Sequence, residues 1–207
     1  MRSSIPKNAR ERVAARHPNG AKQRTFYYLD GQKVGRRTWS ESGELCTECG
    51  VKDGKDQGLY REFSDGALRW EVRLSAGMRH GLARYFDGRG RLRATTYWKH
   101  GTGVDLYFGD PDGSLTEERY SRDGWWHGPE RWFCEGVIFR ETYFKRGIEH
   151  GIQREWNGKR LRRGFPKYFL NGGQVSRRDY LRACESDSEL PPFRMAENKP
   201  TRRPPAC

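Results

Sequence analysis

The stretch DGKDQGLYREFSDGALRWEVRL, residues 53–74, decides the fold. Two runs rich in aromatic and branched residues, GLYREF and LRWEVRL, flank SDGA, and a glycine-containing turn between such runs is the mark of a β-hairpin. Moving outward, the layout returns in AGMRHGLARYFDGRGRLRATTY at 76–97 and in DGWWHGPERWFCEGVIFRETY at 123–143. Gly31, Gly54, Gly77, Gly101, Gly124 and Gly147 follow one another at intervals of 23, 23, 24, 23 and 23 residues. A fixed period with fixed chemistry at each slot defines one small unit copied about six times.

Further columns support the period. Gly35, Gly58, Gly81, Gly128 and Gly151 each stand four residues after a leading glycine, with Asp105 breaking the series. Gly43, Gly66, Gly90, Gly113 and Gly136 form a third column. An aromatic column, Trp39, Phe63, Tyr85, Phe108, Trp132 and Trp156, and an aliphatic one, Leu45, Leu68, Leu92, Leu115 and Ile138, predict an apolar spine shared by the units. Turn signals every 8–12 residues argue for strands rather than helical repeats. YFLNGGQVSRRDY at 168–180 reads as a last hairpin that closes the array.

Of the 207 residues only 34% are hydrophobic, so a thick core is excluded, and 7 Trp, 10 Tyr and 10 Phe supply much of the contact area. Lys and Arg exceed Asp and Glu by 13. Residues 1–23 carry six bases, Arg2, Lys7, Arg10, Arg12, Arg16 and Lys22, against Glu11, and read as a flexible basic arm. Residues 24–184 hold the repeats, and 185–207 read as a Pro-rich polar tail, disordered or extended against a partner. Neither an apolar signal core nor a membrane-length apolar run is seen, and the odd cysteine count of five suits a reduced, cytoplasmic setting. Cys46 and Cys49 form a CxxC pair without a second pair at zinc-ligand spacing, and read as two small strand residues.

Two polar columns bear on function. Arg61, Arg84, Arg131 and Arg154 each stand three residues after a second-column glycine, and Glu48, Glu71, Glu118 and Glu141 each stand six before a leading one. In stacked hairpins a repeated slot becomes a physical row, so the two rows pair as a solvated salt-bridge ladder or the arginines grip a partner's anions. Trp125 and Trp126 beside His127 depart most from the repeat norm and, with Arg131, form the expected hot spot, since Trp and Arg dominate such sites. The motifs GxSxG, HExxH and GxxxxGK[ST] are absent, and His80, His127 and His150 share one turn slot. We expect no catalytic residues, no metal and no cofactor.

The quoted units resemble the MORN repeat, and more closely its bacterial variant form with the pattern DGxxxGxxxxYxxxGxLxxExxY, over residues 27–182. Asp105 in place of glycine, the scarcity of a tight GxG and a degraded last unit depart from it. The resemblance implies an all-β, elongated single-layer array of about six to seven hairpins without a catalytic centre. Similar proteins are scaffolds for protein contacts, some eukaryotic ones bind phospholipid, and some bacterial ones are antitoxin-like partners. The expected function is therefore a protein-binding scaffold or neutralising subunit. The alternative is a basic adaptor whose arm binds nucleic acid or an anionic membrane surface.

Overall fold

The structure, a computed structural model, describes residues 3–109 and 113–201; Arg2 lies outside the described residues. These divide into two compact units, the first running to Gly101 and including Gly113, the second holding Thr102–Gly109 and the chain from Ser114 onward. In the first unit β1 (Arg10–Arg16), β2 (Lys22–Leu29), β3 (Gln32–Trp39), β4 (Leu45–Lys52), β5 (Lys55–Ser64), β6 (Ala67–Ser75), β7 (Met78–Phe86) and β8 (Leu92–Trp98) make one antiparallel sheet in chain order. In the second, β9 (Gly103–Phe108), β10 (Leu115–Arg122), β11 (Trp125–Cys134), β12 (Val137–Lys145), β14 (Gly151–Asn157), β16 (Lys167–Leu170) and β17 (Gly173–Val175) follow one another likewise. The short β13 (Ile148–Glu149) and β15 (Arg160–Leu161) pair with β12 and β14. The chain is all-β, and each sheet is a run of consecutive hairpins.

The glycine columns explain the hairpins. Asp53–Gly54 and Asp65–Gly66, at the two ends of β5, both have two successive positive φ angles, 51° and 75° and then 51° and 72°. That is the two-residue turn whose twist matches antiparallel strands. Leading glycines and, in the third column, Gly66 and Gly136 thus serve the same kind of connection, whereas Gly43 and Gly90 have a positive φ alone and close longer turns by donating to the Ser40 and Asp87 carbonyls. The second column does something else. Gly58, Gly81 and Gly128 lie inside strands, with φ of 81°, 94° and 98°, where the ladders shift register. There the later strand carries extra residues, a β-bulge that needs a left-handed residue.

The core differs from the predicted spine in detail. Val72, Ala83, Tyr85 and Trp98 are buried in the first unit. In the second, Phe133, Ile138 and Trp156 form one cluster, joined by Leu115 and Leu161. Leu92, a member of the aliphatic column, is 54% exposed. The aromatic column mixes two slots: Trp132 is the neighbour of Phe133 in a strand, so the two rings face opposite sides, and it is Phe133 that joins the cluster.

Both terminal segments correct the sequence reading. Residues 1–23 are not a free arm in their described part, because Arg10–Arg16 forms β1 on the edge of the first sheet. Its alternation puts Glu11 onto Lys22 and Tyr27, while Ile5 is 6% exposed, packed where Gly35 leaves room. At the other end the expected hairpin is β16–β17, but it turns on Asn171–Gly172 rather than on Gly172 and Gly173, since Gly173 already pairs with Leu170. SRRDY then starts the helix α1 (Arg177–Ala183), capped by the Ser176 hydroxyl accepting from the Asp179 N–H at 3.2 Å. The described part of the tail packs on its own unit: Leu190 joins Ile152, Tyr168 and Tyr180 in a second cluster, and Phe193 rests against it.

Candidate protein interface

The register places arginine opposite glutamate again and again. Glu48 faces Arg37 on one side and Arg61 on the other, and Glu71 faces Arg61 and Arg84. The side chains pair accordingly, at 2.6 and 3.4 Å to Glu48 and 3.1 and 3.0 Å to Glu71. In the second unit Arg131 bridges Glu118 at 3.1 Å and Glu141 at 2.8 Å, and Arg154 holds Glu141 at 2.9 Å. The expected rows exist. Most members are not solvated, however: Arg154 and Glu118 are 0% and 1% exposed, and Glu48, Arg61, Glu71 and Glu141 are buried too. Withdrawn from water, such charges survive only because each one is matched, and stripping one partner costs about 3–5 kcal/mol.

Arg37 was not visible in the column because it follows Gly35 by two residues rather than three. Between its pairings with Gly50 and Glu48 β3 advances two residues, from Gly35 to Arg37, whereas β5 advances four, from Gln57 to Arg61. Without the two-residue bulge the arginine comes early in sequence and still lands in the row.

The last carboxylate of the second row comes from outside the repeats. Glu197 binds Arg154 at 3.1 Å, the Asn198 side-chain oxygen accepts from the same guanidinium at 3.2 Å, and the Trp156 indole N–H donates to the Asn198 carbonyl at 2.8 Å. The Ile138 N–H reaches the Thr201 carbonyl at 3.3 Å. Residues Met195–Thr201 therefore run along the face that carries the row. Beside them lies a cleft of about 400 Å³ lined by Glu118, Tyr120, Arg131, Tyr143 and Trp156. Arg131 is 30% exposed at its floor, and its guanidinium lies 5.9 Å from the Tyr120 ring. Burial pushes the Tyr143 phenol up from its ordinary range, so it stays a neutral donor.

No protein-family model and no curated protein matches the chain. The site must therefore be read from its own geometry.

The expected trio is split. Arg119 pairs with Glu130 at 2.9 Å and lies over the Trp126 ring at 4.1 Å, and Glu130 points away from the face that Arg131 occupies. Trp126 also meets Phe144 edge-on at 5.7 Å, and Trp125 is 60% exposed with its ring near Gly147. Trp126 and Arg131 are not one patch. Arg61 and Arg154 are buried in the rows, and Arg84 is 44% exposed at the end of the first. Of the basic set, Lys22 is paired with Glu11, Arg16 donates to the Gly20 carbonyl at 2.7 Å, and Arg10, Arg12 and Lys7 are exposed.

Cys46 and Cys49 sit three residues apart in β4 and so face opposite sides, which keeps the two sulfurs from sharing a ligand. Burial pushes the Cys49 thiol up to about 12, leaving it protonated and unreactive. Among the described residues no helix is long and apolar enough to cross a membrane. Glu197 and Asn198 had no signal in the sequence, since they belong to no column.

Proposed function

We propose that the chain is a non-enzymatic, MORN-type array of six to seven hairpins that holds or neutralises a protein partner through the row-bearing face of its second unit. The observation that carries this is the chain's own Met195–Thr201, a 3-10 turn over Met195–Asn198 and the residues after it, seated on that face by its main chain and by a carboxylate on Arg154. A surface that receives one such segment has the donors and the aromatic walls to receive another beside it, at Tyr120, Arg131 and Tyr143. Arginine and tyrosine together are the residue types that anchor protein interfaces.

The test is affinity purification of the full chain beside a Tyr120→Ala variant, which leaves the Arg131 ion pairs in place, from the native host. A stoichiometric protein retained by the unaltered chain and lost by a variant with an unchanged circular-dichroism spectrum supports the reading. Recovery of both as free monomers, or equal retention by both, removes it.

A further inference from the structure

We infer that the face of β1–β3 opposite Glu11 and Tyr27 is a binding site for single-stranded nucleic acid. Glu11, Tyr27 and Arg37 are hydrogen-bonded together on one side of the sheet. Strand alternation sends their neighbours to the other side, where Arg10 stands opposite Tyr28 and Arg12 opposite Phe26. Arg24 lies two residues before Phe26 on the same face, and the Lys33 ammonium sits 4.2 Å from the Phe26 ring. The site is thus Arg10, Arg12, Arg24 and Lys33 around two rings.

The charges of this patch are unmatched, unlike those of the two arginine–glutamate rows. Arg36, on the same face, is neutralised by Asp56 at 2.7 Å, and the arginines of the two rows each hold at least one glutamate. Among the described residues no carboxylate pairs with Arg10, Arg12, Arg24 or Lys33. A cleft of about 700 Å³ opens here, lined by Arg10, Arg12, Tyr28 and, as its one carboxylate, Asp30. Four cations against one acid leave a local surplus that a polyanion fills. Successive arginines on one face of a strand are about 6.8 Å apart, on the order of the step between phosphates in an extended strand.

The rings choose among polyanions. Tyr28 is half-buried, flanked by Arg10, and its phenol has no polar partner among the described residues. A base stacks on such a ring while its phosphates lie on the neighbouring cations. The Asp30 carboxylate at the rim is placed to accept from a base amino group. A bilayer surface would use the cations and leave Tyr28 and Asp30 idle.

Fluorescence anisotropy of the full chain with a labelled oligonucleotide of roughly 12 nucleotides, titrated across salt concentrations, tests the proposal. Four phosphate contacts at about −0.7 each give a slope of log K against log salt near −2.8. The Arg10→Gln, Arg12→Gln variant should bring it to about −1.4. Tyr28→Ala should weaken binding roughly ten-fold at every salt concentration with the slope unchanged. Arg10 and Arg12 are exposed, so the melting temperature of their variant should hold, and Tyr28→Phe, which keeps the half-buried ring, should retain oligonucleotide binding. Absence of binding at low salt, a slope indifferent to Arg10 and Arg12, or no loss in Tyr28→Ala overturns the inference. Tighter binding to phosphatidylserine vesicles than to the oligonucleotide overturns it as well.

Discussion

Two arginines of the same kind of row should behave very differently when removed. Arg154 is fully buried between Glu141 and Glu197, so Arg154→Ala leaves a buried Glu141 short of a partner and should cost about 3–5 kcal/mol by urea unfolding. Arg84 holds Glu71 alone and is 44% exposed, and Glu71 keeps Arg61. Arg84→Ala should cost about 1 kcal/mol or less. Equal losses would mean that burial does not set the strength of the row. The glycines divide in the same way. A Cβ at Gly151 would lie 2.5 Å from the Tyr143 Cβ and 3.2 Å from the Pro191 ring, with φ at 148°; at Gly31, φ 79°, it meets open space. Gly151→Ala should therefore unfold at distinctly lower urea than Gly31→Ala, whose cost is about 1 kcal/mol from backbone strain alone.

At the scale of elements, the loop after α1 is fastened by charge. Lys145 binds Asp187 at 3.2 Å and Glu189 at 2.9 Å, and His150 reaches Asp187 at 3.1 Å. The Glu189 backbone N–H, then Lys145, hold Asp187 below the ordinary carboxylate range, and Lys145 does the same for Glu189. Groups lowered in the folded state contribute stability that is complete above the ordinary carboxylate value near pH 4 and is lost as pH falls through the lower folded values. Acidification should release this loop, read as loss of protection at the Leu190 amide, which donates to the Asp187 carbonyl at 3.2 Å. Asp187→Asn should weaken that protection already at neutral pH, and a pH-independent Leu190 amide would refute the fastening. Hairpins, turns and both polar rows could be read from the sequence because each repeats, and repetition turns a weak local preference into a column. What lacked a column could not. β1 is a single strand that belongs to no repeat and pairs with β2 alone, and the seat of Glu197 on Arg154 joins residues 43 apart. The misplaced ring at Trp132 has a different cause: a shift of one residue in a strand exchanges the two faces, and Phe133 stands next to it.

For the whole molecule, the order of strands has a thermodynamic meaning. Within each unit the strands of the sheet follow one another in chain order, with β13 and β15 pairing to the side, so most of the stability is a sum of terms between adjacent strands. Native-state hydrogen exchange should show opening free energies that differ from hairpin to hairpin, and one common value for all protected amides would contradict this. The charge rows add a rule of editing. Because arginine and glutamate alternate from strand to strand, a cut or copy of one full period keeps opposites adjacent: removing 54–76 brings Glu48 beside Arg84 and leaves a DG turn between their strands. Loss of β5 alone would set Glu48 against Glu71 in a dry interior. A gene encoding such a chain can lengthen or shorten in whole beats of 23 codons while half-beats are punished, so length is free to drift under duplication even where hardly any single buried arginine is.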